Sequence, residues 1–323
     1  MKLHILLASL LAASVCFAQG KPQLNGAGKP VDRGVMIWPA NIYLQPDSST
    51  ARLATIDRGR EVVVLERSTS DWVHVLATLQ EATEEHDSKD VTGWIRNRGI
   101  VLSNTPDGDK ILFGAAADAE NEASKRGGRK GAAQDAIRLY FRAEEYFPNS
   151  PLAGEAMFRA ADDRWQIERA DVMSLPSARE RDPNLRRGMD EDWMRQVMHK
   201  FPNTKWADLA AFRLIENKLC GDWQAESKCP EKEAELYEKY VQEHASSPSA
   251  PEALYDAAWR RACLVDIYPT ENKPGKVAEA KQKAVALAQR LISQYPQSDY
   301  ASRAQTLLYM LQQGIPIYGS QAD

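Results

Sequence analysis

The chain has 323 residues, of which 43% are hydrophobic and 27% charged, with a formal net charge of −4. That length accommodates two domains, and that balance is ordinary for globular proteins. The slight acidity and the lack of a basic stripe argue against a nucleic-acid partner.

Residues 1–18, MKLHILLASLLAASVCFA, place Lys2 ahead of an apolar stretch from Ile5 to Val15. The small residues Cys16 and Ala18 then stand just before Gln19. This is the pattern of a secretory signal peptide, too short to span a membrane, and no later stretch is apolar enough to span one. Cys16 leaves a second reading open, cleavage before a lipid-bearing cysteine, which the branched Val15 fits poorly. Residues 19–34, rich in Gly, Pro and Lys, read as a flexible linker.

Residues 35–103 change to short alternating segments. Asn41–Leu44, Ala51–Ile56, Glu61–Glu66, Asp71–Val75 and Gly93–Ile95 each read as a strand, with Asp57-Arg58-Gly59 as a turn. Five short strands suggest a small barrel. The acidic run ATLQEATEEHDSKDVT before Gly93 extends a hairpin or forms a loop. Its Glu84, Glu85, His86, Asp87 and Asp90 lack the glycine and spacing of a calcium loop, so a solvated loop is expected. Trp72 and Trp94 are expected to pack the barrel, while Trp38 and Tyr43 are the candidates for an exposed aromatic groove.

The order NIYLQPDSSTARLATIDRG, VVVLE, DWVHV, GWIRNRGIV resembles the bacterial SH3 domain over about 65 residues. The resemblance implies a module that docks peptides, the stem peptide of peptidoglycan among them. The acidic insertion departs from it.

Residues 109–313 carry helical periodicity, broken at RGGRKG from Arg126. Helices are expected over 133–146, 152–172, 190–200, 205–219, 231–244, 249–267, 275–294 and 299–313, with 314–323 as a tail. Four copies of one phrase punctuate them: FPNSPLAGEA from Phe147, FPNTKWADLA from Phe201, HASSPSAPEA from His244 and YPQSDYASRA from Tyr295. The starts lie 54, 43 and 51 residues apart (201−147, 244−201, 295−244). Proline after an aromatic residue stops the incoming helix. The hydroxyl two residues later caps the next helix, and alanines three apart admit a close neighbour. The phrase is thus a tight turn between antiparallel helices, and its recurrence marks a repeat array.

This phrase resembles the tetratricopeptide repeat, in the long-repeat version of bacterial envelope proteins. The spacings exceed the usual repeat of about 34 residues, so a regular groove does not follow. First helices of each pair line the inner groove in that family, which makes Trp165, Trp206 and Trp259 candidate ligand contacts. Packing between helices is the alternative for all three. Arg260 and Arg261, beside Trp259, suit an acidic or carboxylate-bearing peptide.

The expected architecture is therefore multidomain: a small all-β SH3-like barrel, separable from an all-α tetratricopeptide-like solenoid. No catalytic residue, metal site or cofactor is expected. His74, His86, His199 and His244 fit no zinc helix motif and no nucleophile pair, and phosphate-binding glycine loops are absent. Cys220 and Cys229 flank the polar loop GDWQAESK, which predicts a bridge between them and a free, buried Cys263. Together these readings describe an exported, periplasmic, non-enzymatic adaptor that binds envelope proteins or peptides. An accessory subunit of a cell-wall hydrolase and an outer-membrane assembly factor are the alternatives.

Overall fold

The computed structural model describes residues 32–68, 71–80 and 89–319. The signal-peptide reading, most of the linker, Glu84–Asp87 and residues 320–323 lie outside the described residues.

Seven strands occur among the described residues: β1 (Asp32–Met36), β2 (Ala40–Tyr43), β3 (Arg52–Ile56), β4 (Glu61–Arg67), β5 (Trp72–Gln80), β6 (Lys89–Arg96) and β7 (Ile100–Leu102). They form one antiparallel sheet in the order β3-β2-β6-β5-β4-β1-β7. The sheet is open, with β3 and β7 at its edges, so the expected barrel closure is absent. The reason lies at β1 and β7, where Val35 and Val101 pack into a helical core instead of facing another strand. The sheet's own core is Ile42, Ile56, Val62, Val73, Val75 and Ile95 with their neighbours, spaced by twos as a half-buried sheet requires.

Two strands went unexpected. β1 begins at Asp32, inside the stretch read as linker, and pairs Arg33 with Val63 and Gly34 with Val62. Gly34 looks like linker chemistry, yet a Cβ there would lie 2.5 Å from Ile100 Cγ2. Its lack of a side chain is what lets β7 cross close by. The acidic insertion extends the β5–β6 hairpin, with Ala77 opposite Val91 and Thr78 opposite Asp90.

Nine α-helices follow among the described residues: α1 (Gly108–Ser124), α2 (Ala132–Tyr146), α3 (Ala153–Met173), α4 (Asp192–Lys200), α5 (Lys205–Arg213), α6 (Lys228–Glu243), α7 (Ala250–Thr270), α8 (Val277–Gln294) and α9 (Asp299–Gln313). Consecutive helices pack as hairpins, α2 on α3, α4 on α5, α6 on α7 and α8 on α9 across the four phrase turns.

The phrase repeats in three dimensions. Phe147, Phe201, His244 and Tyr295 adopt nearly one backbone conformation, with φ from −124 to −131° and ψ from 46 to 57°. Each donates its N–H to the carbonyl four residues back, at 2.8–3.1 Å. Two of the hydroxyls cap the next helix, Thr204 accepting from Ala207 N at 3.4 Å and Ser298 from Tyr300 N at 3.2 Å, while Ser150 and Ser247 accept within the turn, from Leu152 N and Ser249 N, both at 3.1 Å. The eight phrase alanines, from Ala153 and Ala156 to Ala301 and Ala304, are all buried. Such small residues let the paired helices approach, and removing the cap hydroxyl of Thr204 or Ser298 costs about 1 kcal/mol.

One expected helix, 205–219, ends at Arg213 and continues as a 3₁₀ turn. There Asn217 accepts from Met189 N and donates to Met189 O, both at 2.9 Å. The side-chain amide thus pairs with the long 174–191 connection as a strand would, which a continued helix would prevent.

The sheet is seated on the first helical hairpin. Val35 and Val101 share one core with Leu112, Ala116, Leu139 and Tyr140. Arg138 Nε donates to Arg58 O at 3.1 Å, and the Tyr146 hydroxyl donates to Glu61. Between β7 and α1, Thr105 accepts from Leu102 N at 2.8 Å and Gly108 N reaches Thr105 O at 3.0 Å. The segment expected to separate two domains is therefore a hydrogen-bonded turn over a shared core.

Candidate binding site

Trp38 and Tyr43 come together in a cleft of about 640 Å³ on the sheet. Trp38 and Pro39 form the β1–β2 turn, Tyr43 ends β2, and Arg96 and Arg98 come from the end of β6 and the turn after it. The Trp38 indole is 59% exposed, unusual for so large an apolar group. Its ring is held from one side by Arg58, whose guanidinium carbon lies 4.4 Å from the ring centroid. Arg58 is itself fixed by Nε donating to Ile37 O at 2.9 Å. Tyr43 meets buried Trp72 edge-on at 5.7 Å, and Arg96 covers the Trp72 ring at 4.1 Å. Cation–π contacts of this kind contribute about 0.5–2 kcal/mol and hold the guanidinium planes in place.

The lining of this cleft includes Arg96 and Arg98 and no carboxylate. Arg96 has a long ion pair with Asp71 at 3.8 Å. Sequence reading found the two aromatic residues but missed the arginines, because only the strand order brings the β6–β7 turn against the β1–β2 turn. Trp72 is buried as expected, and half-buried Trp94 stacks on His74 at 4.9 Å.

The helical candidates behave differently. Trp165 is 1% exposed, and its Nε1 donates to Glu216 at 2.9 Å, so no face remains for a ligand. Trp206 is half-buried in the same core, stacked on Phe158 at 5.8 Å with Lys205 Nζ 4.3 Å above it. Trp259 is half-buried against Trp223 at 5.3 Å. Arg260 and Arg261 are 8% and 7% exposed and already paired. Arg260 holds Glu233 at 2.8 Å and Asp256 at 3.1 Å, and Arg261 holds Glu238 at 2.7 Å. The carboxylate-binding role read for these two arginines fails on that account. Breaking a buried pair leaves an uncompensated charge and costs several kcal/mol.

Cys220 is bridged to Cys229 with Cα atoms 6.0 Å apart, and Cys263 is free and buried. Burial pushes the Cys263 thiol up to about 12, with Asp266 adding to the shift. Glu233, buried beneath the bridge, accepts from Cys220 N at 2.9 Å, Trp223 Nε1 at 3.1 Å and Arg260 Nε at 2.8 Å. The tail beyond α9 docks on this loop: Tyr318 stacks on Trp223 at 6.0 Å, and its hydroxyl accepts from Ala225 N at 2.9 Å. Trp223, Trp259 and Tyr318 rim a second cleft of about 350 Å³. No residue pattern in the sequence signalled Glu233 or Tyr318.

Asp163 of α3 is a third distinctive group. Its Oδ2 is buried without a hydrogen-bond partner. Burial first, then the nearby Glu120 and Asp162 carboxylates, push its pKa up to about 7 against the opposing pull of Arg159. Among the described residues no cluster of His, Cys, Asp or Glu could hold a metal ion, and no helix is long and apolar enough to cross a membrane.

No protein-family model and no curated protein matches the chain. Among solved structures the chain is similar to "MamA RS-1 ArsTM double mutant", with 13% identity, a TM-score of 0.28, and coverage of 65% of this chain and 97% of that one. It is also similar to the designed helical repeat protein DHR64, with 16% identity, a TM-score of 0.21, and coverage of 65% and 95%. A filament protein, DHF58, gives 14% identity, a TM-score of 0.23, and coverage of 64% and 93%. At such scores the likeness assigns no activity, and the functional reading rests on the residues described above.

Proposed function

We propose that this protein is an exported, non-enzymatic adaptor of the bacterial envelope: an SH3-like sheet that docks a peptide, carried on a tetratricopeptide-like array that holds protein partners. The observation that carries the reading is the exposed Trp38 indole over a cleft whose only charged lining is arginine. An exposed aromatic platform with few polar groups is the usual make-up of a peptide-docking site. The recurrent turn supports the scaffold half, since stacked hairpins of this kind present extended surfaces. The stem peptide of peptidoglycan is the ligand suggested by the SH3-like strand order, and the signal-peptide pattern supports a periplasmic location.

The test is calorimetric titration of the full chain with soluble stem peptide. Binding that is lost in Trp38→Ala and kept in Trp206→Ala supports the reading. Binding lost only in Trp206→Ala moves the site to the helical array and overturns it.

A further inference from the structure

We infer that the Trp38–Tyr43 cleft recognises the C-terminal carboxylate of a peptide, with Arg98 as the primary anchor and Arg96 beside it. The inference rests on the cleft being the docking site and adds the chemistry of its ligand.

The argument begins with charge. Of the three guanidinium groups at the cleft, Arg58 is engaged by Ile37 O and stacked on Trp38. Arg96 is stacked on Trp72 and looks toward Asp71. Arg98 is exposed, and among the described residues its side chain makes no hydrogen bond or ion pair. A guanidinium pairs a carboxylate through two parallel hydrogen bonds, a fit that a neutral amide lacks.

The number of available cations selects the source of that carboxylate. One fully available arginine, with a second partly committed, matches a single negative group. A run of acidic side chains would need several and would also meet Asp71. Next to the arginines, Trp38, Pro39 and Ala40 form an apolar wall that suits the last side chain of a peptide.

This assignment relocates a property. A carboxylate-binding arginine pair was legible in principle at Arg260 and Arg261, but those two are buried against Glu233, Asp256 and Glu238. The pair in a cleft lined by no carboxylate is Arg98, which is exposed, and Arg96, which is half-exposed and also within reach of Asp71 and Asp47 at its rim.

The experiment uses the full chain, immobilised, and three sets of acetylated random pentapeptides: free acids, C-terminal amides, and amides with glutamate as the last residue. Retained peptides are quantified by mass spectrometry. The expected result is about tenfold retention of free acids over both amide sets. Arg98→Gln brings that ratio near one, and Trp38→Ala loses all retention. Equal retention of free acids and plain amides overturns the carboxylate assignment while leaving the cleft as a docking site. Retention of glutamate amides equal to free acids overturns the choice of the chain terminus. Retention unchanged in Trp38→Ala overturns the cleft itself. Circular dichroism of Arg98→Gln, an exposed residue, is expected to match the parent chain.

Discussion

Arg138 Nε, on the second helix, donates to the backbone carbonyl of Arg58 at 3.1 Å, in the turn between β3 and β4. This bond joins a helix to a turn 80 residues earlier in the chain, and it sits over a core shared by Val35, Val101, Leu112 and Leu139. Sheet and first hairpin therefore share a core, and they are expected to unfold as one cooperative unit. Leu139→Ala is expected to cost about 2–5 kcal/mol, the range for a fully buried leucine. In urea melts followed by amide exchange at Val73 and Val75 in the sheet and by helical circular dichroism, both midpoints should fall. A mutant that shifts only the helical signal would show that the sheet folds apart.

The same contact constrains Gly59. Its φ is +74°, and a Cβ there would lie 2.7 Å from Arg138 Cβ. Gly59→Ala combines left-handed strain of about 1–2 kcal/mol with a clash against a helix that cannot retreat. The expected loss in a thermal melt exceeds that of Gly127→Ala. Gly127 shares a positive φ of 78° but has open space around it, so the difference between the two isolates the clash.

Glu233 is the keystone under the disulfide. Glu233→Ala leaves Arg260 buried beside Asp256 alone and frees Trp223 Nε1. A loss of about 3–5 kcal/mol is expected, with a red-shifted emission as Trp223 loosens. Glu233→Gln keeps acceptor and shape and should lose less. Reducing the Cys220–Cys229 bridge removes about 2–3 kcal/mol in the chain-entropy model. Alkylation of the folded chain should spare Cys263, whose burial keeps the thiol protonated; labelling of Cys263 without denaturant would contradict that.

Asp163 sets a pH dependence with a defined sign. Its carboxyl is raised to about 7 in the folded protein and titrates in the ordinary carboxylate range when unfolded. The folded state thus binds the extra proton between those values. The stabilising contribution is complete at pH below the ordinary carboxylate range, and it is lost as pH rises through about 7. Asp163→Asn removes this slope. Melting temperatures of the variant and the parent should be close near pH 4, and the variant should melt higher at pH 8. A gap that is constant with pH would contradict the assignment.

Much of this architecture was legible because it rests on local chemistry. The turn phrase declares itself through Phe147, Ser150 and the alanines after them, since each column satisfies a steric or hydrogen-bonding need within ten residues. The cysteine pair was legible because Cys220 and Cys229 stand nine positions apart across one loop. What stayed hidden depends on tertiary placement. Gly34 reads as linker until β7 lies against it. The helical tryptophans leave both groove contact and packing open in the sequence, and for Trp165 the bond to Glu216 decides for packing. Arg98 carries no local signal, since its meaning comes from the strand order that sets it beside Trp38.

The most direct measurement is an indole N–H spectrum of the full chain during titration with a free-acid peptide selected on it. The sequence has eight tryptophans, so the spectrum is simple enough to assign by single substitutions. The account predicts that the Trp38 signal moves, that Trp72, covered by Arg96 and edge-on to Tyr43, follows weakly, and that Trp165 stays fixed. Movement of Trp206 or Trp259 with Trp38 unmoved, or no movement at any indole, would contradict it.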